Sequence, residues 1–242
     1  FPTMIAIITM FFIGGATGSF STVLSAGILS GIIILGILMT LVISKILSVT
    51  ILKGIPSSFT LELPPYRRPQ IGKVIVRSIF DRTLFVLGRA AAVAAPAGLI
   101  IWLMANITVG DMTLLSICSG FLDPFARAIG LDGVILLAFI LGFPANEIVV
   151  PIIIMAYLSE GSIREINDLS VLRDLLTTNG WTWITAVSTL LFSLMHWPCS
   201  TTCLTIRKET GSVKWTLLSW LVPTVTGVIV CFLFTTAARA FL

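Results

Sequence analysis

Long apolar runs separated by short polar stretches dominate this chain. Five are long enough to cross a bilayer: Val23–Leu47, Leu84–Ala105, Asp132–Leu158, Trp181–Ile206 and Trp215–Ala238. A helix rising 1.5 Å per residue needs about 20 apolar residues to cross a hydrocarbon core of about 30 Å. A sixth stretch, Thr113–Leu131, contains Asp123, Pro124 and Arg127 and reads as a poor span, a re-entrant hairpin or an interfacial helix. The first run, Pro2 to Ile13, would rise only about 18 Å. It has no basic leader and no small-residue cleavage site, so it is not read as a signal peptide. The chain begins at Phe1 and reads as a fragment of a longer protein, cut in mid-helix. The expected fold is all-α: a polytopic transmembrane helical bundle with broken helices near the membrane midplane.

Composition agrees with the pattern. Hydrophobic residues make up 57% and charged residues 11% of the 242 residues, with a mean hydropathy of +1.07. So few charges could not cover a water-soluble surface of this size, and lipid must do so. The segment Lys45 to Arg89 carries eight basic against two acidic residues, net +6. The positive-inside rule makes it cytoplasmic. Arg207–Lys214 is also basic and falls on the same side, whereas Ser159–Thr178 is acidic and reads as external. These assignments fit together only if Thr113–Leu131 also crosses, and that crossing is the expectation. Lys73 to Arg89 has the pattern of an amphipathic helix resting in the inner interface before the Leu84 span.

Three times a proline follows an aromatic residue and precedes small or polar residues: Phe1-Pro2-Thr3, Phe143-Pro144-Ala145-Asn146-Glu147 and Trp197-Pro198-Cys199-Ser200-Thr201. Proline breaks a helix interior and suits the first turn of a new one. The second and third cases fall inside apolar runs. Interrupted backbone at that depth must be enclosed by protein or face a polar cavity, as in transporter binding sites. Glu147 would then lie in the first turn of a restarted helix, where the dipole favours an anion. An intramembrane carboxylate is by default functional. With Asn146 as a second oxygen donor, it could bind a cation. Its other reading is structural, with the carboxyl bonding the broken backbone.

His196, the single histidine, and Cys199 flank the third break, and Cys203 follows four residues later. Carboxylate, amide, imidazole and thiolate together suit Fe²⁺, Mn²⁺ or Zn²⁺ better than Ca²⁺ or Na⁺. The alternative is that His196 caps the helix and the cysteines only pack. Cys118 and Cys231 read as packing residues, and the cysteine spacing demands no disulfide. No nucleotide-binding, metalloprotease or serine-hydrolase motif is present, and nothing in the charge pattern points to nucleic acid.

The segments Leu61-Glu62-Leu63-Pro64-Pro65-Tyr66-Arg67-Arg68-Pro69, Leu131-Asp132-Gly133-Val134-Ile135, Gly142-Phe143-Pro144-Ala145-Asn146-Glu147, His196-Trp197-Pro198-Cys199 and Lys208-Glu209-Thr210-Gly211-Ser212, in this order, resemble the membrane domain of the bacterial FeoB family of ferrous iron transporters. The resemblance implies a multi-pass permease moving Fe²⁺ across the bacterial inner membrane, and not an enzyme in itself. It implies regulation by an N-terminal GTP-binding domain that this chain does not contain. A small cytoplasmic accessory protein and homo-oligomer formation are compatible with it. It divides the chain into a remnant of the first gate region (1–22), a middle region (23–130) and a second gate region with the C-terminal helices (131–242). It assigns the path to Asn146, Glu147 and Cys199, with His196 in the same motif; Cys203 rests on spacing alone. The rival reading is a carrier of nucleosides or other small organic solutes.

Overall fold

The computed structural model describes residues 2–13, 19–51, 70–159, 161, 166 and 168–241. The Leu61–Pro69 motif and the charges at Lys53, Glu62, Glu160, Arg164 and Glu165 lie outside them.

The regular secondary structure of the described residues is helical but for one two-stranded ribbon. Helix α1 (Pro2–Ile8) starts at its proline and runs into a π-helical turn, Thr9–Ile13. Helix α2 (Ser19–Thr50) follows. Helix α3 (Ile71–Arg77) continues through a π-helical segment, Ser78–Leu84, into α4 (Phe85–Asn106). The basic interfacial stretch and the span that follows are therefore one continuous helix. Strands β1 (Thr108–Val109) and β2 (Met112–Thr113) pair antiparallel, with Gly110 in the left-handed region between them. Then come α5 (Leu114–Ala128), α6 (Gly133–Leu141), a 3₁₀ turn at Asn146–Ile148 and α7 (Val149–Leu158). Helices α8 (Leu169–Thr178), α9 (Trp183–Met195), α10 (Ser200–Thr210) and α11 (Val213–Ala240) complete the chain.

Among the described residues, three helices are long and apolar enough to span on their own: Thr22–Thr50, Val86–Asn106 and Val213–Ala240. Their side chains are largely exposed in the isolated chain, as expected for helices facing lipid. The interior belongs to the interrupted helices. Four consecutive residues of α7, Ile152 to Met155, are buried, as are Ile135 to Phe139 of α6. A helix buried on every side lies inside the bundle.

The segment Asp132–Leu158 is not the single crossing that its apolar length predicts. It is a hairpin. Asp132, which caps α6 by accepting from Ile135 N at 2.6 Å, also accepts the hydroxyl of Tyr157 in the last turn of α7. A continuous helix would hold those two residues about 38 Å apart. The hydroxyl of Tyr157 in turn accepts from Trp181 Nε1 at 2.8 Å. Asn106, the last residue of α4, donates to Gly161 O at 2.8 Å. Since Gly161 is four residues beyond Tyr157, at most about 14 Å of chain, both ends of segment 107–158 lie at one face of the protein.

The additional crossing expected of Thr113–Leu131 is therefore not needed. Helix α5 has 15 residues, about 22 Å of rise, and it meets α6 at 108°. Gly161 shares a face with the end of α4.

Gly133 makes the α5–α6 corner. A β carbon there would overlap the backbone carbonyl of Ser119, while Asp123 Oδ1 accepts from Gly133 N at 3.1 Å. The hairpin base is also tied to α11, whose Arg239 donates from Nη2 to Arg127 O at 2.9 Å. Between α9 and α11, Ser188 and Thr235 are fully buried with their hydroxyls 3.3 Å apart, and Cys231 lies beside Ser188 O.

Candidate functional site at two helix breaks

The hairpin turns at Gly142–Ala145, where the sequence places Pro144. Helix α6 stops at Leu141, and the turn is closed by Gly142 N to Ala138 O at 2.8 Å and Ala145 N to Gly142 O at 3.0 Å. Gly142 faces the side chain of Val149, so a β carbon would crowd the hairpin tip. Helical structure resumes at Asn146–Ile148, which puts Asn146 and Glu147 in the first turn, both exposed in the isolated chain.

The second break separates α9 from α10. His196 ends α9 in extended conformation, its N–H donating to Phe192 O at 2.8 Å, and Cys199 precedes α10, also extended. The breaks are joined directly: Ser200 N, opening α10, donates to Phe143 O at the hairpin tip at 2.9 Å. An end group that each interruption would leave unpaired is thus satisfied by the other, which is how interrupted backbone survives in an apolar interior.

Beside this junction lies a cavity of about 850 Å³. Its polar lining includes Asn146 and Glu147 from the hairpin, Thr189, Ser193 and His196 from α9, and Thr40 from α2. Its apolar lining includes Met4 and Ile7 of α1, Ile33 and Ile37 of α2, and Ile153 of α7. Three of the five residues chosen from the sequence therefore share one cavity.

His196 is held in a defined pose. Its Nδ1 lies 2.9 Å from Ser193 O, and its ring packs on Phe139, Phe192 and Trp197 with centroids 5.0, 6.0 and 5.8 Å away. A carbonyl accepts only, so Nδ1 carries a proton, and in the neutral ring the lone pair is then on Nε2. Metal-binding histidines are held in this way, by a second-sphere carbonyl on the other nitrogen. Nε2 is buried without a hydrogen-bond partner among the described residues.

Cys199 and Cys203 do not line the cavity. Cys199 Sγ lies 3.1 Å from the hydroxyls of both Thr201 and Thr202, a setting suited to sulfur as acceptor. Cys203 Sγ faces Pro198 O at 3.7 Å. Cys203 lies one turn into α10, whereas Cys199 precedes the helix in extended backbone. Among the described residues, no group of three or more histidine, cysteine or acidic side chains converges on one metal position. One residue escaped the sequence reading: Ser200, 6% exposed, whose hydroxyl has no partner. Its place directly after Pro198 and Cys199 was the available signal.

Two protein-family models match the chain. One, described as ferrous iron transport protein B C terminus, covers residues 29–81. The other, described as a gate domain for nucleoside recognition, covers residues 87–213, more than half of the chain. Among curated relatives, the Fe(2+) transporter FeoB of Staphylococcus aureus (strain MSSA476) is 29% identical over 196 residues, covering 76% of this chain and 27% of the relative. The Fe(2+) transporter FeoB of Leptospira interrogans (strain Fiocruz L1-130) is 27% identical over 199 residues, covering 73% of this chain and 28% of the relative. That of Leptospira biflexa is 24% identical over 202 residues, covering 76% and 29%. The chain thus spans little more than a quarter of the length of these relatives. No solved structure matches it.

Proposed function

Starting from a chain that belongs to the gate-domain family and to the C-terminal region of FeoB proteins, we propose that it forms part of a ferrous iron permease. The observation that carries this reading is the bond from Ser200 N to Phe143 O, which holds two interrupted helices together beside a cavity lined by Asn146, Glu147 and His196. Fe²⁺ is the transported substrate. The carboxylate of Glu147, the amide oxygen of Asn146 and the imidazole Nε2 of His196 replace part of its water shell, a mixed oxygen and nitrogen set that suits a borderline divalent ion. Cys199, on the other side of the same break, takes the ion onward toward the face where α10 ends, its sulfur supported by the two threonine hydroxyls. Cys203 borders that exit and has the weakest geometric claim.

The membrane is the bacterial inner membrane, with the basic segments at its cytoplasmic face. In the longer protein, a GTP-binding domain biases the movement that opens the path. A carrier of nucleosides is less favoured, since the relatives that match are named for Fe²⁺. The test is anaerobic uptake of radiolabelled Fe²⁺ by cells carrying the full-length protein, with Glu147→Gln and Cys199→Ser compared at equal expression. Loss of one ligand should lower uptake on the order of tenfold or more. Normal uptake by both variants rejects the assignment.

A further inference from the structure

Two polar atoms at the junction remain unused by hydrogen bonding. Among the described residues, the only buried side-chain oxygen or nitrogen atoms without a partner are His196 Nε2 and Ser200 Oγ. They come from opposite ends of one break, with Trp197, Pro198 and Cys199 between them. Elsewhere in the interior the hydroxyls are partnered: Ser188 with Thr235, Thr189 with Thr185 O, and Ser119 with Ser116 O. Serine at a helix start ordinarily accepts a backbone N–H as the cap, but here Cys199 holds the cap position and no side chain caps α10. Packing alone would favour alanine at position 200, because a buried hydroxyl with nothing to bond is unfavourable.

We propose that Ser200 Oγ and His196 Nε2 form a coordination station for the travelling divalent cation at the α9–α10 break, with Ser200 a ligand in its own right. The station rests on the transport reading above and adds a residue to it. A hydroxyl oxygen and an imidazole nitrogen suit Fe²⁺, Mn²⁺ or Co²⁺. Both donors are fixed before the ion arrives: His196 by its bond to Ser193 O and its aromatic neighbours, Ser200 by its N–H on Phe143 O. The remaining coordination positions are filled by water, entering from the cavity that His196 lines.

The test uses the 242-residue chain in lipid nanodiscs under anaerobic conditions, with Mn²⁺ as probe. His196 is its single histidine, so imidazole nitrogen modulation in the electron paramagnetic resonance of bound Mn²⁺ identifies an ion held by His196, and the Ser200 variants tell whether the serine shares it. Ser200→Ala should weaken Mn²⁺ binding about tenfold, and Ser200→Thr, which keeps the hydroxyl, should stay within about threefold of the parent. The metal-free alanine variant should be as thermally stable as the parent or more so, since an unsatisfied hydroxyl has gone. Should Ser200→Ala fail to fold, Ser200→Gly replaces it against the same threonine control. Parent-like Mn²⁺ affinity and nitrogen modulation in the alanine or glycine variant overturn the proposal and leave the serine a packing residue. The uptake assay separates the two readings. Lost uptake in Glu147→Gln with parent-like Mn²⁺ binding in Ser200→Ala removes the station alone. Normal uptake in Glu147→Gln and Cys199→Ser with weakened binding in Ser200→Ala removes the proposed path and keeps the station.

Discussion

Tyr157 donates its hydroxyl to Asp132, joining the last turn of α7 to the first of α6 across 25 residues of sequence. The same oxygen accepts from Trp181 Nε1. Three separate segments therefore converge at the base of the hairpin. Tyr157→Phe removes the bridge and leaves a half-buried carboxylate oxygen and an indole N–H without partners. The loss should be about 1–3 kcal/mol, measured as a lower Tm of the purified protein in detergent, while Trp181→Phe should lose less.

Gly133 is set against the backbone of Ser119 and Asp123, with no flexible side chain to yield. Gly133→Ala should disrupt the α5–α6 corner and reduce the yield of folded protein, an overpacking effect of about 1–3 kcal/mol or more. Gly98→Ala, where a β carbon meets nothing, is the control. Equal yields from both variants would contradict the packing described.

The hairpin makes a topological prediction. Positions 108 and 161 lie at the same face, and position 212 at the other. Thr108→Cys and Gly161→Cys should both react with a membrane-impermeant maleimide added outside cells, and Ser212→Cys only after the membrane is opened. Opposite labelling of positions 108 and 161 would restore the single crossing.

Asp168 caps α8, and its Oδ1 accepts from Ser170 Oγ at 2.6 Å and Ser170 N at 2.9 Å. These bonds, the hydroxyl first, hold its carboxyl below the ordinary carboxylate range. The folded state binds this proton less readily than the unfolded one. The cap's contribution is therefore complete above the free carboxylate's pKa and is lost as the pH falls through the lowered folded value. The protection of amides at the start of α8, relative to their intrinsic exchange rates, should fall as the pH drops below the free carboxylate's range, and Asp168→Asn should flatten that dependence.

Much of this architecture could be read from residues alone. Helices α2, α4 and α11 follow from apolar length, and the interruptions at Pro144 and Pro198 from the chemistry of proline. The reversal between α6 and α7 could not, because a proline break has the same sequence whether the restarted helix continues forward or doubles back. The bonds of Asp132, Tyr157 and Trp181 decide the direction, and they link residues too far apart in sequence to be recognised as partners. That reversal also removes the topological conflict set up by the loop charges. At the site, Asn146, Glu147 and His196 were legible as polar groups at breaks in apolar runs. Cys199 and Cys203 were legible only as neighbours in sequence, since the extended backbone at Cys199 is not visible in residue types. Ser200 was passed over because its place after Pro198 and Cys199 marks it only weakly until its burial is known.

The hairpin has a mechanical consequence. Both its stems are anchored at one surface, so its tip is held from one side of the protein only. Among the described residues the main-chain attachment of the tip to α10 is the bond between Phe143 and Ser200, and parting it would leave both helical stems their own internal bonding.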